Sequence, residues 1–293
     1  MSPSLLKHTL LIIFLTTLAL SACGLNLAPA TSTPTPSPTP TVTPVPLAVS
    51  INGEEITVPE FNAELDRYQQ AQVALGNTVS LEDATQTVMD NLIDTILLAQ
   101  GAAADGFTED DAMLPNRISD LITQIGGPDA LAAWESAHGY TEAEFRSELR
   151  REIAAAWKRD QLAVSIPATA EQVHVTQILL YNADTAQEAL GYLKSGWNFE
   201  DLAARYDPLT KGELGWFPRG YLPEANIEEA AFALQPGEYN DIIQSPAGYH
   251  ILYVIERDPD RILSPDARLT LQQHAIQAWL LQQRDDSKIL FAP

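Results

Sequence analysis

The sequence predicts an α+β protein: a helical body, completed by the C-terminal helix, with a smaller α+β domain inserted between its parts. Three observations predict it. From Leu47 to Ile166, apolar residues recur at helical spacing. From Gln172 to Ile262 the pattern changes to a strand, helices and a closing antiparallel pair. From Ser264 to Pro293 one helix remains, and thirty residues cannot build a core of their own. That helix must pack on another element, and the 47–166 segment has apolar stripes to spare.

Composition bounds the function. A chain of 293 residues suits about two domains. Hydrophobic residues make up 45%, enough for a sizeable core and too many for a disordered chain. Acidic residues outnumber basic ones 39 to 17, a formal charge of −22. That field repels phosphate backbones, so no nucleic-acid partner is expected. The single cysteine excludes a disulfide framework and any multi-cysteine metal site. His138, His174 and His274 lack metal-ligand spacing, and no cofactor is expected.

The first 46 residues read as export and tethering. Lys7 and His8 precede the apolar run Leu10–Leu15, which has the length of a signal-peptide core and is short for a membrane span. It ends at Leu20-Ser21-Ala22-Cys23, which resembles a lipobox. Residues 1–22 are then a lipoprotein signal peptide and Cys23 the lipidated first residue of the mature chain. An ordinary secretory signal or an anchoring helix is the alternative. Residues 23–46 form a linker whose Pro29–Pro46 stretch holds seven prolines and no charge. Proline favours the extended polyproline conformation, so the linker could span roughly 70 Å. The expected location is the cell membrane, anchored by lipid on the extracytoplasmic face.

The 47–166 domain opens with two short strand-like runs, Leu47–Ile51 and Glu54–Thr57, joined by Asn52-Gly53, a hairpin signal. A helix starts at Val58-Pro59-Glu60, with Phe61, Leu65 and Tyr68 on one face. A second starts at Ser80 and aligns Val88, Leu92 and Ile96 beside Met89, Ile93 and Leu97. Thr108-Glu109-Asp110-Asp111 is expected to cap a third, which Gly126-Gly127-Pro128 ends. A short helix holds Leu131 and Trp134. Thr141 and Glu144 form a capping-box signature for a long helix carrying Phe145, Leu149, Ile153 and Trp157. Between Leu47 and Ser165 there are 21 acidic and 7 basic residues, a solvated acidic face.

In the 172–262 domain, Val173–Leu180 reads as a strand and Ala183–Ser195 as a helix stopped by Gly196. Phe199–Tyr206 and Ile227–Leu234 read as shorter helices, and Tyr239–Ser245 and Tyr249–Glu256 as a closing pair of strands. Ser264-Pro265-Asp266 then starts the last helix, 264–293, with Leu269, Ile276 and Leu280 on one face.

Four ordered stretches carry a resemblance. Gly212-Glu213-Leu214-Gly215-Trp216-Phe217-Pro218-Arg219-Gly220 resembles the parvulin signature GG-x-LGWF-x-RG. Val173–Leu180 resembles the opening parvulin strand, and Phe199–Tyr206 the F-x-x-LA-x-x-YS helix. Ala230–Glu238 followed by Ser245–Ile251 resembles A-x-F-x-L-x-x-GE … S-x-x-GYHI. The Asn52-Gly53 opening, the helices and the returning C-terminal helix resemble the chaperone part of SurA- and PrsA-like exported foldases. The resemblance implies a parvulin-like (PpiC) peptidyl-prolyl isomerase domain at 172–262, on a chaperone-like domain formed by 47–166 and 264–293.

Such an enzyme needs no nucleophile, metal or cofactor. The barrier of ~18–20 kcal/mol to X-Pro rotation is amide resonance, which an apolar cup favouring the twisted amide can lower. By motif position the resemblance assigns Leu214, Leu222 and Ile227 to that cup, and Phe217 and Phe232 to the core. Plain core packing is the alternative for the three cup residues. The second of two family histidines falls at His250, for which a satisfied core histidine that orders the sheet is the alternative. The first falls at Gln177, which forms hydrogen bonds but cannot become a cation. A third polar position falls nearest Asp207, in a shortened loop. Tyr181-Asn182-Ala183-Asp184 lacks the basic residues that phosphopeptide specificity needs. Two functions stay open: an isomerase for unfolded or proline-containing exported polypeptides, and a non-catalytic holdase with a degenerate parvulin domain. A solute-binding lipoprotein would need more repeated strand–helix units than the chain has.

Overall fold

The computed structural model describes residues 45–108, 110 and 112–291. The leader, Cys23 and the linker up to residue 44 lie outside the described residues, as do Glu109 and Asp111 of the expected third-helix cap.

Strands β1 (Leu47–Ile51) and β2 (Glu54–Thr57) form an antiparallel hairpin. Its turn takes positive φ at both Asn52 (52°) and Gly53 (91°), the geometry that Asn-Gly supplies. Helix α1 (Val58–Ala74) starts at once, capped by a reciprocal box between Thr57 and Glu60. Helix α2 (Leu81–Ala104), capped by Ser80, buries Val88, Ile93, Ile96 and Leu97. Helix α3 (Met113–Ile125) departs from expectation. It begins later than Thr108–Asp111 implies, and its N-cap Ala112 makes no side-chain bond. Instead the Asp110 carboxylate accepts the N–H groups of Ala112 (2.8 Å) and Met113 (2.9 Å). An acid two or three residues upstream thus satisfies donors that a cap would otherwise take. Helices α4 (Pro128–Ala137) and α5 (Glu142–Val164) follow, the latter with the expected Thr141–Glu144 box.

The chain then crosses into a four-stranded antiparallel sheet. It contains β3 (Thr169–Leu180), β4 (Glu213–Pro218), β5 (Ile243–Ser245) and β6 (Gly248–Ile262), in the order β4-β3-β6-β5. Helices α6 (Ala183–Lys194) and α7 (Phe199–Tyr206) bury Leu190, Leu193, Phe199 and Leu202 against one face with Ile178, Leu180 and Ile251. Helix α8 (Ala225–Ala233) covers the other face with Val173, Val175, Phe217, Leu252 and Val254. The expected strand Tyr239–Ser245 contracts to β5, with a lone bridge between Tyr239 and Tyr253. Asn240 interrupts it, its side-chain oxygen taking the Leu252 N–H at 2.6 Å.

Helix α9 (Pro265–Asp286) leaves the sheet and packs on α2 and α5. Trp279 lies over Gly101, and the buried Lys158 sits 4.8 Å from its ring while pairing with Asp105 at 2.5 Å. Arg284 bridges Asp90 (2.9 Å) and Asp94 (2.6 Å) on α2. A final strand, β7 (Ile289–Phe291), joins β1 to make a second sheet of order β2-β1-β7. The helical part is therefore completed by the chain's end, with the α+β part inserted. Among the described residues no helix is long and apolar enough to cross a membrane.

Candidate active site

Side chains alternate faces along a strand, so Val173, Val175 and Gln177 of β3 share a face with His250, Leu252 and Val254 of β6. Gln177 pairs with Leu252 and Leu179 with His250, which makes Gln177 and His250 diagonal neighbours. Their side chains meet: His250 Nδ1 lies 2.8 Å from Gln177 Oε1. On its other side His250 Nε2 lies 2.7 Å from Ser245 Oγ, which itself accepts the Ala247 N–H at 3.0 Å.

These partners assign the tautomer. An amide oxygen only accepts, so Nδ1 carries the proton, and the Ser245 hydroxyl donates to Nε2. His250 is 5% exposed, and that burial lowers its pKa below the usual histidine value, against a smaller upward pull from the Glu224 carboxylate. The imidazole is therefore neutral near pH 7. The two amide N–H groups of Gln177 have no protein partner among the described residues.

Two glycines set this geometry. At Gly212 (φ 72°) an added Cβ would lie 1.8 Å from the Gln177 carbonyl oxygen, and the Gly212 carbonyl takes the Gln177 N–H at 2.8 Å. At Gly248 a Cβ would lie 2.5 Å from the Leu180 carbonyl oxygen. The glycines of the G-x-LGWF and S-x-x-GYHI stretches thus let two backbones approach where β3 presents Gln177 and β6 presents His250.

The apolar residues converge on the same face. Ile227 is 3% exposed, within a cluster of Phe217, Phe232, Leu252 and Val254, and half-buried Leu214 and Leu222 pack against it. Leu214 joins them because β4 carries an extra residue where Val175 pairs with Gly215 and Thr176 with Glu213. Gly215, at φ 74°, is placed as such a bulge requires. Phe217 and Phe232 are buried.

Asp207 makes no hydrogen bond to Gln177 or His250 among the described residues. Its carboxylate accepts the Thr210 hydroxyl and the N–H groups of Leu209 and Thr210 (both 3.1 Å), closing a turn after α7. Those bonds, the Thr210 hydroxyl first, hold its pKa below the usual carboxylate value. Asp207 does share with Gln177 a cleft of about 230 Å³, lined also by Tyr206 and Thr210. Ser245 escaped the sequence reading. Its signal was the S-x-x-GYH spacing, which a tight β5–β6 turn converts into a contact with His250. Asn182, in the stretch without basic residues, caps α6 through the N–H groups of Asp184 and Thr185.

Comparison with known proteins agrees with this architecture. Residues 181–256 match the rotamase family described as the PPIC-type PPIASE domain, and residues 42–127 match the SurA-like N-terminal domain. The first match begins just past Gln177 and includes His250. The class is thereby defined: a parvulin-type domain joined to a SurA-like N-terminal domain.

Relatives fill in the rest. The foldase protein PrsA of Bacillus subtilis is 30% identical over 153 residues, 48% of this chain and 51% of that protein. PrsA of Halalkalibacterium halodurans is 27% identical over 234 residues, 71% of this chain and 64% of that one. The chaperone SurA of Methylobacillus flagellatus is 28% identical over 206 residues, 58% and 47%. The chain thus spans about half to two thirds of the length of these relatives. A crystal structure of the peptidylprolyl isomerase PrsA from Bacillus cereus aligns at 20% identity and a TM-score of 0.47, covering 83% of this chain and 91% of that one. The chain thus combines a match to the PPIC-type PPIASE domain with one to the SurA-like N-terminal domain, and it is similar to proteins named foldase PrsA and chaperone SurA.

Proposed function

We propose that the protein is a peptidyl-prolyl cis–trans isomerase, held by lipid at Cys23 on the extracytoplasmic face of the cell membrane, that assists the folding of exported proteins. Its clients are unfolded or proline-containing polypeptides, without phosphopeptide specificity. One observation carries the reading: a hydrogen-bonded Gln177–His250 pair lies on the sheet face that bears the Leu214, Leu222 and Ile227 cluster.

The chemistry follows from those groups. Half-buried Leu214 and Leu222, floored by Ile227, hold the pyrrolidine ring away from water. A dry surround favours the twisted amide, which is less polar than the planar one, and each ~1.4 kcal/mol of that preference is tenfold in rate. Neutral His250 fixes the Gln177 side chain through its carbonyl oxygen. The amide N–H groups of Gln177 are left for the substrate carbonyl as it swings past. Asp207, engaged in its own turn, serves at the edge of the adjoining cleft.

The test is acceleration of Xaa-Pro isomerisation in a proline peptide by the soluble chain from Leu47. Leu222→Ala is expected to cut kcat/KM about tenfold, as loss of a part-buried leucine contact costs roughly 1.5 kcal/mol or more. A flat trace with intact suppression of aggregation sinks the isomerase and leaves the second reading, a holdase with a degenerate parvulin domain. Gln177 in place of a titratable group favours that second reading, as do the exposed Val73 (75%), Leu75 (73%) and Leu81 (65%) around the α1–α2 turn.

A further inference from the structure

Leu222 sits in the segment between β4 and α8, and one of its sides is open. A cavity of about 380 Å³ separates Tyr221, Leu222 and Pro223 from Thr270 and His274 of α9. Side-chain packing therefore cannot fix the segment on that side. Its backbone is held instead. The Glu228 carboxylate accepts three consecutive N–H groups: Gly220 (2.6 Å), Tyr221 (2.9 Å) and Leu222 (3.0 Å). Charge-assisted bonds of this kind are about twice as strong as neutral ones. From the other side, His274 Nδ1 lies 2.8 Å from the Gly220 carbonyl oxygen and donates to it. Gly220 itself, at φ 78°, turns the chain where a Cβ would press within 3.2 Å of Leu271.

Glu228 follows Ile227 on α8. One turn of helix therefore supplies the floor of the apolar cluster and the anchor of its movable wall. We propose that Glu228 is a positioning residue of the prolyl cup, holding Leu222 at a set distance from Ile227, with His274 of α9 bracing the same segment from outside. This rests on the reading of the cluster as a proline-binding cup. It gives the C-terminal helix a direct part in the inserted domain's site.

The experiment compares the full chain in mild detergent with Glu228→Gln and His274→Ala. The readouts are isomerisation kinetics with a fluorogenic Xaa-Pro peptide and the Kd of the same peptide by anisotropy. In Glu228→Gln one oxygen still accepts, but the amide NH₂ faces a backbone N–H. The wall loosens, and KM is expected to rise about tenfold with kcat within about twofold, since Leu222 grips the pyrrolidine ring, which keeps its shape as the amide twists, while Leu214 and the Ile227 floor keep the amide's surround dry. A purely structural role lowers the folded fraction, so kcat falls and KM stays; that pattern overturns the proposal. His274 is exposed. His274→Ala is expected to fold and to raise KM roughly two- to threefold, the worth of one exposed hydrogen bond. Should Glu228→Gln fail to fold, an unchanged KM in His274→Ala overturns the proposal. If the parent chain binds the peptide without accelerating isomerisation, the isomerase reading fails alone. The proposal is then decided by the same tenfold and two- to threefold changes in Kd. If the parent chain does not bind the peptide, the cup and the proposal fall together.

Discussion

At the scale of single residues, His250 is defined by what surrounds it. An imidazole with an amide oxygen on one nitrogen and a hydroxyl on the other has both polar atoms satisfied in the neutral state. Burial penalises the cation, so the folded-state pKa lies below that of the unfolded chain. The unfolded chain then binds the proton first on acidification. Stability present above the ordinary histidine value of about 6.5 is lost as pH falls from there toward the folded value. In a ¹⁵N-histidine titration, His250 is expected to show an Nδ1–H tautomer and a midpoint below the ordinary histidine value of about 6.5. A midpoint at or above that ordinary value would mean that the Glu224 carboxylate outweighs burial, and the neutral-imidazole description would fail. The sequence announced His250 through its motif. It could not announce the necessity of Gly212, because the atom that forbids a side chain there belongs to Gln177, 35 residues earlier.

Among the elements, α9 was legible and β7 was not, for a physical reason. A 22-residue helix repeats its apolar spacing several times, whereas Ile289–Phe291 is three residues long and shows no period. The partner of α9 was legible too, by elimination. The contact that seats it, Trp279 against Gly101, was not, since a glycine inside a helix reads from sequence only as a weak point. That contact makes a prediction. Intrinsic propensity favours Gly101→Ala by about 1 kcal/mol in a helix interior. The new Cβ would stand 2.5 Å from the Trp279 ring, however, so α9 or the ring must shift. Overpacking of this kind costs about 1–3 kcal/mol, and the net is expected to be destabilising, with a lower Tm. Pairing Gly101→Ala with Trp279→Leu should recover part of the loss. A stabilised single variant would mean that the ring swings aside freely and α9 is not seated by it.

Across the whole molecule, both ends of the described chain meet in one small sheet. Strand β1 lies between its hairpin partner β2 and the terminal β7, so neither of its edges is open. Asn52 does double service there. It adopts the positive φ of the hairpin turn, and its side chain also accepts the Lys288 N–H (2.9 Å) and donates to Ser287 (3.0 Å) and Gln100 (2.9 Å). Its own N–H bonds the Lys288 carbonyl at 3.0 Å. A chain ending at Asp286 forfeits the Asn52 bonds to Ser287 and Lys288 and the β1–β7 ladder, and leaves Val49 and Ile51 of the core beside an open edge. At a net ~1 kcal/mol or less per exposed hydrogen bond, the loss is expected to be about 2–3 kcal/mol. The inserted domain makes none of these contacts. Its β3 and β6 carry their own cores on both faces. Hydrogen exchange should therefore accelerate at Val49, Ser50 and Ile51 in the truncated chain, while Ile178 and Ile251 keep their protection. Equal loss of protection in both sheets would show that they open as one cooperative unit. In that event the C-terminal return stabilises the inserted isomerase-type domain as well as the helical body, and the two cannot be tuned independently.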